Sequence, residues 1–151
     1  MTEAADWDAR VYAAVALHPT RANALTEEAK TVIERLAEHP RVVAIGETGM
    51  DMYWPGKLDG CAEPAEQREA FAWHIDLAKR TGKPLMIHNR DADAEVLDVL
   101  APRARPSTVI FHCFSSDAAM ARVCVANGWL LEPRRAPSAS ATRTRCARRR
   151  R

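Results

Sequence analysis

Three short apolar runs in this chain each finish on a side chain that can ligate a metal. They are Val42-Val43-Ala44-Ile45-Gly46-Glu47, Pro84-Leu85-Met86-Ile87-His88 and Val109-Ile110-Phe111-His112. Each is rich in β-formers and each is followed by a helical pattern. Two further runs, Val11–Leu17 and Trp129-Leu130-Leu131, extend the series to five predicted strands separated by four helical stretches. Strands alternating with helices in this way specify parallel pairing. In parallel α/β folds, chemistry collects at the carboxyl ends of the strands. One carboxylate and two imidazoles at that rim form a plausible divalent-metal site.

The helices have readable ends. Thr26 can cap a helix whose first turn holds Glu27 and Glu28, and Ala29, Val32, Ile33, Leu36 and Ala37 fall on one face. Pro64 is placed to start the next helix, on which Phe71, Ile75 and Ala78 share a face flanked by Gln67 and His74, and Gly82 suits its C-terminal cap. A third helix is expected from Ala92 to Leu100, ahead of Pro102. A fourth, capped by Ser115 or Ser116, carries Ala119, Met120, Val123 and Cys124 and ends at Gly128. The stretch from Met50 to Glu63, with Pro55, Gly56 and Gly60, reads as a long loop. Strands that are apolar throughout fit a sheet covered on both faces.

Composition matters mainly through its asymmetry. The formal net charge is +2, from 22 Lys+Arg against 20 Asp+Glu. Eight of those arginines fall after residue 131, leaving 14 basic against 19 acidic residues before it. The body is acidic, so a nucleic-acid argument from bulk charge would rest on the tail alone. From Glu132 onward no aliphatic residue exceeds Ala in size, and residues 132–151 are expected to be a disordered basic tail, read in a shifted frame in preference to a nucleic-acid-binding segment. No apolar stretch approaches the roughly 20 residues that span a bilayer. The first residues lack a signal-peptide pattern, and four scattered cysteines suit a reducing compartment. The expected location is the cytoplasm.

Gly46-Glu47-Thr48-Gly49-Met50-Asp51, Pro84-Leu85-Met86-Ile87-His88-Asn89-Arg90-Asp91-Ala92 and His112-Cys113-Phe114-Ser115 resemble successive motifs of the TatD family of metal-dependent deoxyribonucleases. Ala16-Leu17-His18-Pro19 resembles the motif that precedes them in that family. The resemblance runs from about Val11 to Leu131. It implies a partial TIM-type (β/α)8 barrel, here about four βα units and one strand, as an incomplete hydrolase domain over residues 1–131. It implies DNA as substrate, a monomer if complete, and a two-metal phosphodiesterase site using Mg, Mn or Zn. By motif, Glu47 would bridge the two metals, His88 and His112 would ligate the second, Arg90 would face a substrate phosphate, and Asp51 would orient a ligand.

The chain lacks the family's His-x-His before the first matched strand and its Glu-Thr-Asp motif near the end, so at most one metal is expected here. The competing expectation is a catalytically inactive, truncated or frame-disrupted product. Several residues have double readings. His18 either shapes the turn at Pro19 or contacts substrate, and His74 lies mid-helix. Tyr53 and Trp54 either stack on exposed bases or pack the loop. Cys113 is expected on the face opposite His112, as a buried small residue.

Overall fold

A computed structural model describes residues 8, 10–102 and 106–133. Of the tail assigned above to residues 132–151, residues 134–151 lie outside them. Five strands form one parallel sheet in the order β1-β2-β3-β4-β5. They are β1 (Ala13–Val15), β2 (Val42–Asp51), β3 (Leu85–Arg90), β4 (Val109–Phe114) and β5 (Leu130–Pro133). The helices between them are α1 (Glu27–Ala37), α2 (Pro64–Thr81), α3 (Asp93–Leu100) and α4 (Ala118–Ala126), with a 3-10 stretch, Pro19–Ala24, after β1. Spatial order follows chain order without a reversal. With right-handed crossovers, each helix then lands on the same face of the sheet. That is the winding of a barrel wall, not of an open sheet with helices on both sides.

The alternation of burial identifies the covered face. Leu85 and Ile87 on β3 and Val109 and Phe111 on β4 are buried against the helices, while Met86, His88, Ile110 and His112 between them are only half-buried. The apolar runs do not, therefore, mark a sheet covered on both faces among the described residues. Helix faces complete the core with Ile33 and Ala37 from α1, Phe71, Ile75 and Ala78 from α2, and Val96, Val99 and Leu100 from α3. Burying side chains of this size stabilises by about 1.5–3 kcal/mol each, before conformational entropy is counted.

The helix ends follow the capping signals closely. Thr26 Oγ1 accepts from the Ala29 amide at 3.2 Å, and Gly82 closes α2 in the left-handed region at φ 66°. Glu63 and Glu66 form a capping box at the start of α2. The cap of α4 is Asp117, not Ser115 or Ser116; its carboxylate accepts from Ala119 and Met120 amides. A charged acceptor binds those free amides more strongly than a hydroxyl does.

Strand ends differ more. β1 is shorter than the apolar run, and β2, β3 and β4 run past Glu47, His88 and His112 by two to four residues. The segment from Met50 thus begins as strand, and β5 continues two residues past the composition break.

Candidate metal centre

The register between β2 and β3 determines where Glu47 points. Ile45 pairs with Leu85 and Thr48 pairs with Ile87, so Gly46 and Glu47 together face Met86 alone. This is a bulge. Strict alternation from buried Ile45 would send Glu47 toward the helices; the extra residue delivers it to the open face beside Met86 and His88. Gly46 is required there, because a Cβ would fall 2.5 Å from Met86 Cβ and 2.7 Å from the Met86 carbonyl oxygen. Three residues on, Gly49 has φ 140°, and a Cβ would lie 2.1 Å from the His88 carbonyl oxygen. Both glycines let β2 approach β3 closely at the point where His88 emerges.

His88 is the centre of the cluster, with a side chain 17% exposed. Its Nδ1 lies 2.9 Å from Glu47 Oε1 and 3.3 Å from His18 Nε2. Its Nε2 lies 2.8 Å from Asp51 Oδ2, on a side chain only 1% exposed. Asp51 is fixed in turn by Gln67 on α2. The Gln67 side-chain oxygen accepts from the Asp51 amide at 2.8 Å, and its nitrogen donates to the carbonyls of Asp51 and Ala62. Asp51 is thereby held rigidly against the His88 ring.

His18 sits at the start of the 3-10 stretch, one residue after a buried anchor. The Leu17 amide donates to His74 Nε2 at 3.2 Å, and His74 Nδ1 donates to the Ala70 carbonyl at 2.7 Å. His74 is fully buried, and burial pushes its pKa down to about 4. It is thus a neutral structural pin beneath His18. His18 Nδ1 lies 2.8 Å from Thr20 Oγ1. Nδ1 also accepts from the Thr20 amide at 3.3 Å, so the neutral ring carries its proton on Nε2, the nitrogen facing His88, and a cation bound there would displace that proton.

Among the described residues, one ligand atom each from His18, Glu47 and His88 lie within 4.8 Å of one another. The donor set fits a divalent ion. Imidazole nitrogens about 2.0–2.1 Å from a tetrahedral cation stand a little over 3 Å apart, as His18 Nε2 and His88 Nδ1 do here. The protonation states agree with that use. Burial, and then the neighbouring His88, hold His18 below its ordinary pKa, which favours the neutral ligating form. The hydrogen bond with His88 holds Glu47 below the usual carboxylate range, against the effect of burial. For His88, burial disfavours the charge, but the hydrogen bonds to Glu47 and Asp51 outweigh it and raise the pKa. An imidazole held between two carboxylates can exchange its Nδ1 proton for a cation, with Asp51 retaining Nε2.

The remaining expected site residues are nearby but separate. His112 does not belong to the three-residue cluster; its Nδ1 lies 2.6 Å from Glu132 Oε2 on β5. It faces His88 across a cavity of about 200 Å³ also lined by Asn89, Arg90, Cys113 and Ser115. Cys113 is a correction. It has φ 47°, is exposed, and puts Sγ 3.3 Å from His112 Nε2. The positive φ breaks the strand alternation that would have sent the two side chains to opposite faces. Two contributions differ from the sequence reading: His18, weighed there as a turn former or a substrate contact, joins the candidate ligand cluster, and Glu132, placed there in the tail, follows an apolar strand as Glu47 does.

The family model of TatD-related DNases matches residues 1–132. The chain belongs to this family. It is 76% identical over 131 residues to a Mycobacterium tuberculosis protein named an uncharacterized metal-dependent hydrolase TatD, a match covering 87% of this chain and 50% of that one. Against the Bacillus subtilis metal-dependent hydrolase YabD the identity is 39%, over 76% of this chain and 44% of the relative. An Erwinia billingiae relative named a 3'-5' ssDNA/RNA exonuclease TatD is 34% identical, over 79% and 47%. The chain thus spans about half the length of the curated relatives it matches. In fold it resembles the crystal structure of the Escherichia coli TatD homologue YJJV, with a TM-score of 0.73 at 24% identity, covering 85% of this chain and 49% of that one. The TatD neighbours are TIM barrels, and this sheet corresponds to part of one.

Proposed function

We propose that this chain carries a metal-dependent phosphodiester hydrolase site acting on DNA, with His18, Glu47 and His88 holding one divalent ion. The observation that carries the reading is the convergence of those three donor groups on one point, with Asp51 bracing His88 from behind. A bound Mg, Mn or Zn ion would polarise a phosphoryl oxygen and lower the pKa of water.

The chain's own groups have separable tasks. Glu47 supplies the negative charge that offsets the cation. Asp51 fixes the ring orientation of His88, and His74 fixes the backbone that presents His18. Arg90 and His112 line the cavity next to the cluster, where a phosphate would enter. The guanidinium can meet two phosphate oxygens at once. His112, paired with Glu132, is placed across the cavity as a second nitrogen donor or a proton carrier for a leaving oxygen.

The test is hydrolysis of a chromogenic phosphodiester, bis(p-nitrophenyl) phosphate, and of single-stranded oligonucleotides, with Mn²⁺ or with EDTA. Metal-dependent turnover that disappears in Glu47→Gln supports the assignment. Turnover in EDTA, or full activity in Glu47→Gln, refutes it.

A further inference from the structure

The hydrolase reading leaves the thiol of Cys113 unused, and the structure gives that thiol two arranged neighbours. Cys113 is exposed and lies on the wall of the cavity of about 200 Å³ that His88, Arg90 and His112 also line. Its Sγ is 3.3 Å from His112 Nε2, and His112 Nδ1 is 2.6 Å from Glu132 Oε2. An ionised carboxylate can only accept, so Glu132 takes the hydrogen bond from Nδ1–H. The neutral ring then presents a lone pair at Nε2, and the thiol donates to it. Nucleophile, base and orienting carboxylate stand in the order that activates a thiol or hydroxyl for covalent chemistry. Neither Cys113 nor His112 belongs to the cluster of His18, Glu47 and His88.

The backbone is bent to make this contact. Cys113 has φ 47°, one of two positive values outside glycine among the described residues. A left-handed cysteine costs conformational energy, and such strain persists where the surrounding structure holds the residue in place. The other described thiols are set differently. Cys124 is buried, and burial pushes its pKa up to about 11. Cys61 is half-buried, and burial, followed by the charges of Asp51 and Glu63, raises its thiol as well.

We infer that Cys113 is a site of peroxide oxidation, with His112 as its base and Glu132 holding that base in the accepting tautomer. The thiol proton passes to His112 Nε2, and the sulfur attacks one oxygen of hydrogen peroxide. The S–O bond forms as the O–O bond breaks. The sulfur is oxidised by two electrons, the peroxide is reduced, and the leaving hydroxide takes the proton back from His112 as water. The product is a sulfenic acid. Its oxygen enters the cavity shared with His88 and Arg90, so the modification fills space beside the candidate metal centre. The step needs no bound ion and stands apart from the hydrolase reading.

The test exposes the full 151-residue chain to hydrogen peroxide in EDTA, traps sulfenic acid with dimedone, and assigns each modified cysteine by peptide mass spectrometry. EDTA keeps cations off His112 Nε2. The peptide map separates Cys113 from Cys146, which lies outside the described residues. A free cysteine is only a few per cent thiolate near pH 7, so an arranged base has room to raise the rate about tenfold. Cys113 in the folded chain should therefore be oxidised about tenfold faster than Cys113 in the urea-unfolded chain. His112→Asn should remove that advantage, and Glu132→Ala should reduce it. Glu132 is exposed at the end of β5, so its truncation removes no core contact. Equal rates for Cys113 in the folded and unfolded chain, or an unchanged rate in both substituted chains, would overturn the inference. The hydrolase reading is scored in separate samples, by metal-dependent cleavage of bis(p-nitrophenyl) phosphate; failure there leaves the oxidation rates untouched.

Discussion

His74 makes the stability of this fold sensitive to mild acid, and the size of the effect can be worked out. The imidazole is buried beneath Leu17 with its pKa pushed down to about 4, against 6.5 for a free side chain. Between those values the unfolded chain binds a proton that the folded chain rejects. Stability is therefore fully present above pH 6.5, falls as the pH drops toward 4, and falls no further from this group below that. Integrating between about pH 7.5 and pH 4.5 gives a loss of about 2.5 kcal/mol from His74 alone. That is a large share of the roughly 5–15 kcal/mol available to a domain. His18 adds to the same trend and His88 opposes it, so the comparison must be with a variant. His74→Gln keeps an acceptor for the Leu17 amide and removes the titration. Urea unfolding followed by circular dichroism at both pH values should show the loss of stability shrinking by about 2 kcal/mol in His74→Gln. Equal pH dependence in the two proteins would refute the claim that His74 is held neutral.

Two further outcomes follow from the geometry of the β2–β3 pair. Gly49→Ala would place a Cβ 2.1 Å from the His88 carbonyl oxygen at φ 140°, so it should lower stability by about 3 kcal/mol or more, measured by the same unfolding assay. Asp51→Asn keeps the size of the side chain but loses the charge behind His88. It should weaken divalent-metal affinity by about 10–100-fold with little change in thermal midpoint; unchanged affinity would mean that Asp51 does not support the ion.

Much of the architecture was legible because apolar runs and helix caps act locally. Thr26, Pro64 and Gly82 mark helix ends through backbone hydrogen bonding and φ preference, and the structure honours each of them. The five-strand parallel sheet followed from the βα alternation, and the likeness to a barrel from the motifs on its strands. Directions of side chains on the open face were harder. Glu47 reaches His88 only because Gly46 and Glu47 share one partner on β3, and a bulge leaves no periodic signature. Cys113 reaches His112 through a positive φ that no propensity would assign to a cysteine. His18 was left between a turn and a substrate contact, because His-Pro at a strand end fits either and the approach of its ring to His88 depends on tertiary packing. The pairing of His112 with Glu132 depends on register between β4 and β5, which the sequence alone does not supply.

The central claim is that His18, Glu47 and His88 form the ion's ligand set, and calorimetric titration of Zn²⁺ into metal-stripped protein tests it most directly. The account predicts one site in the unsubstituted chain, its loss in Glu47→Gln and His88→Ala, and a larger loss of affinity in His18→Ala than in His112→Ala. Binding that survives His18→Ala unchanged but disappears in His112→Ala would contradict it.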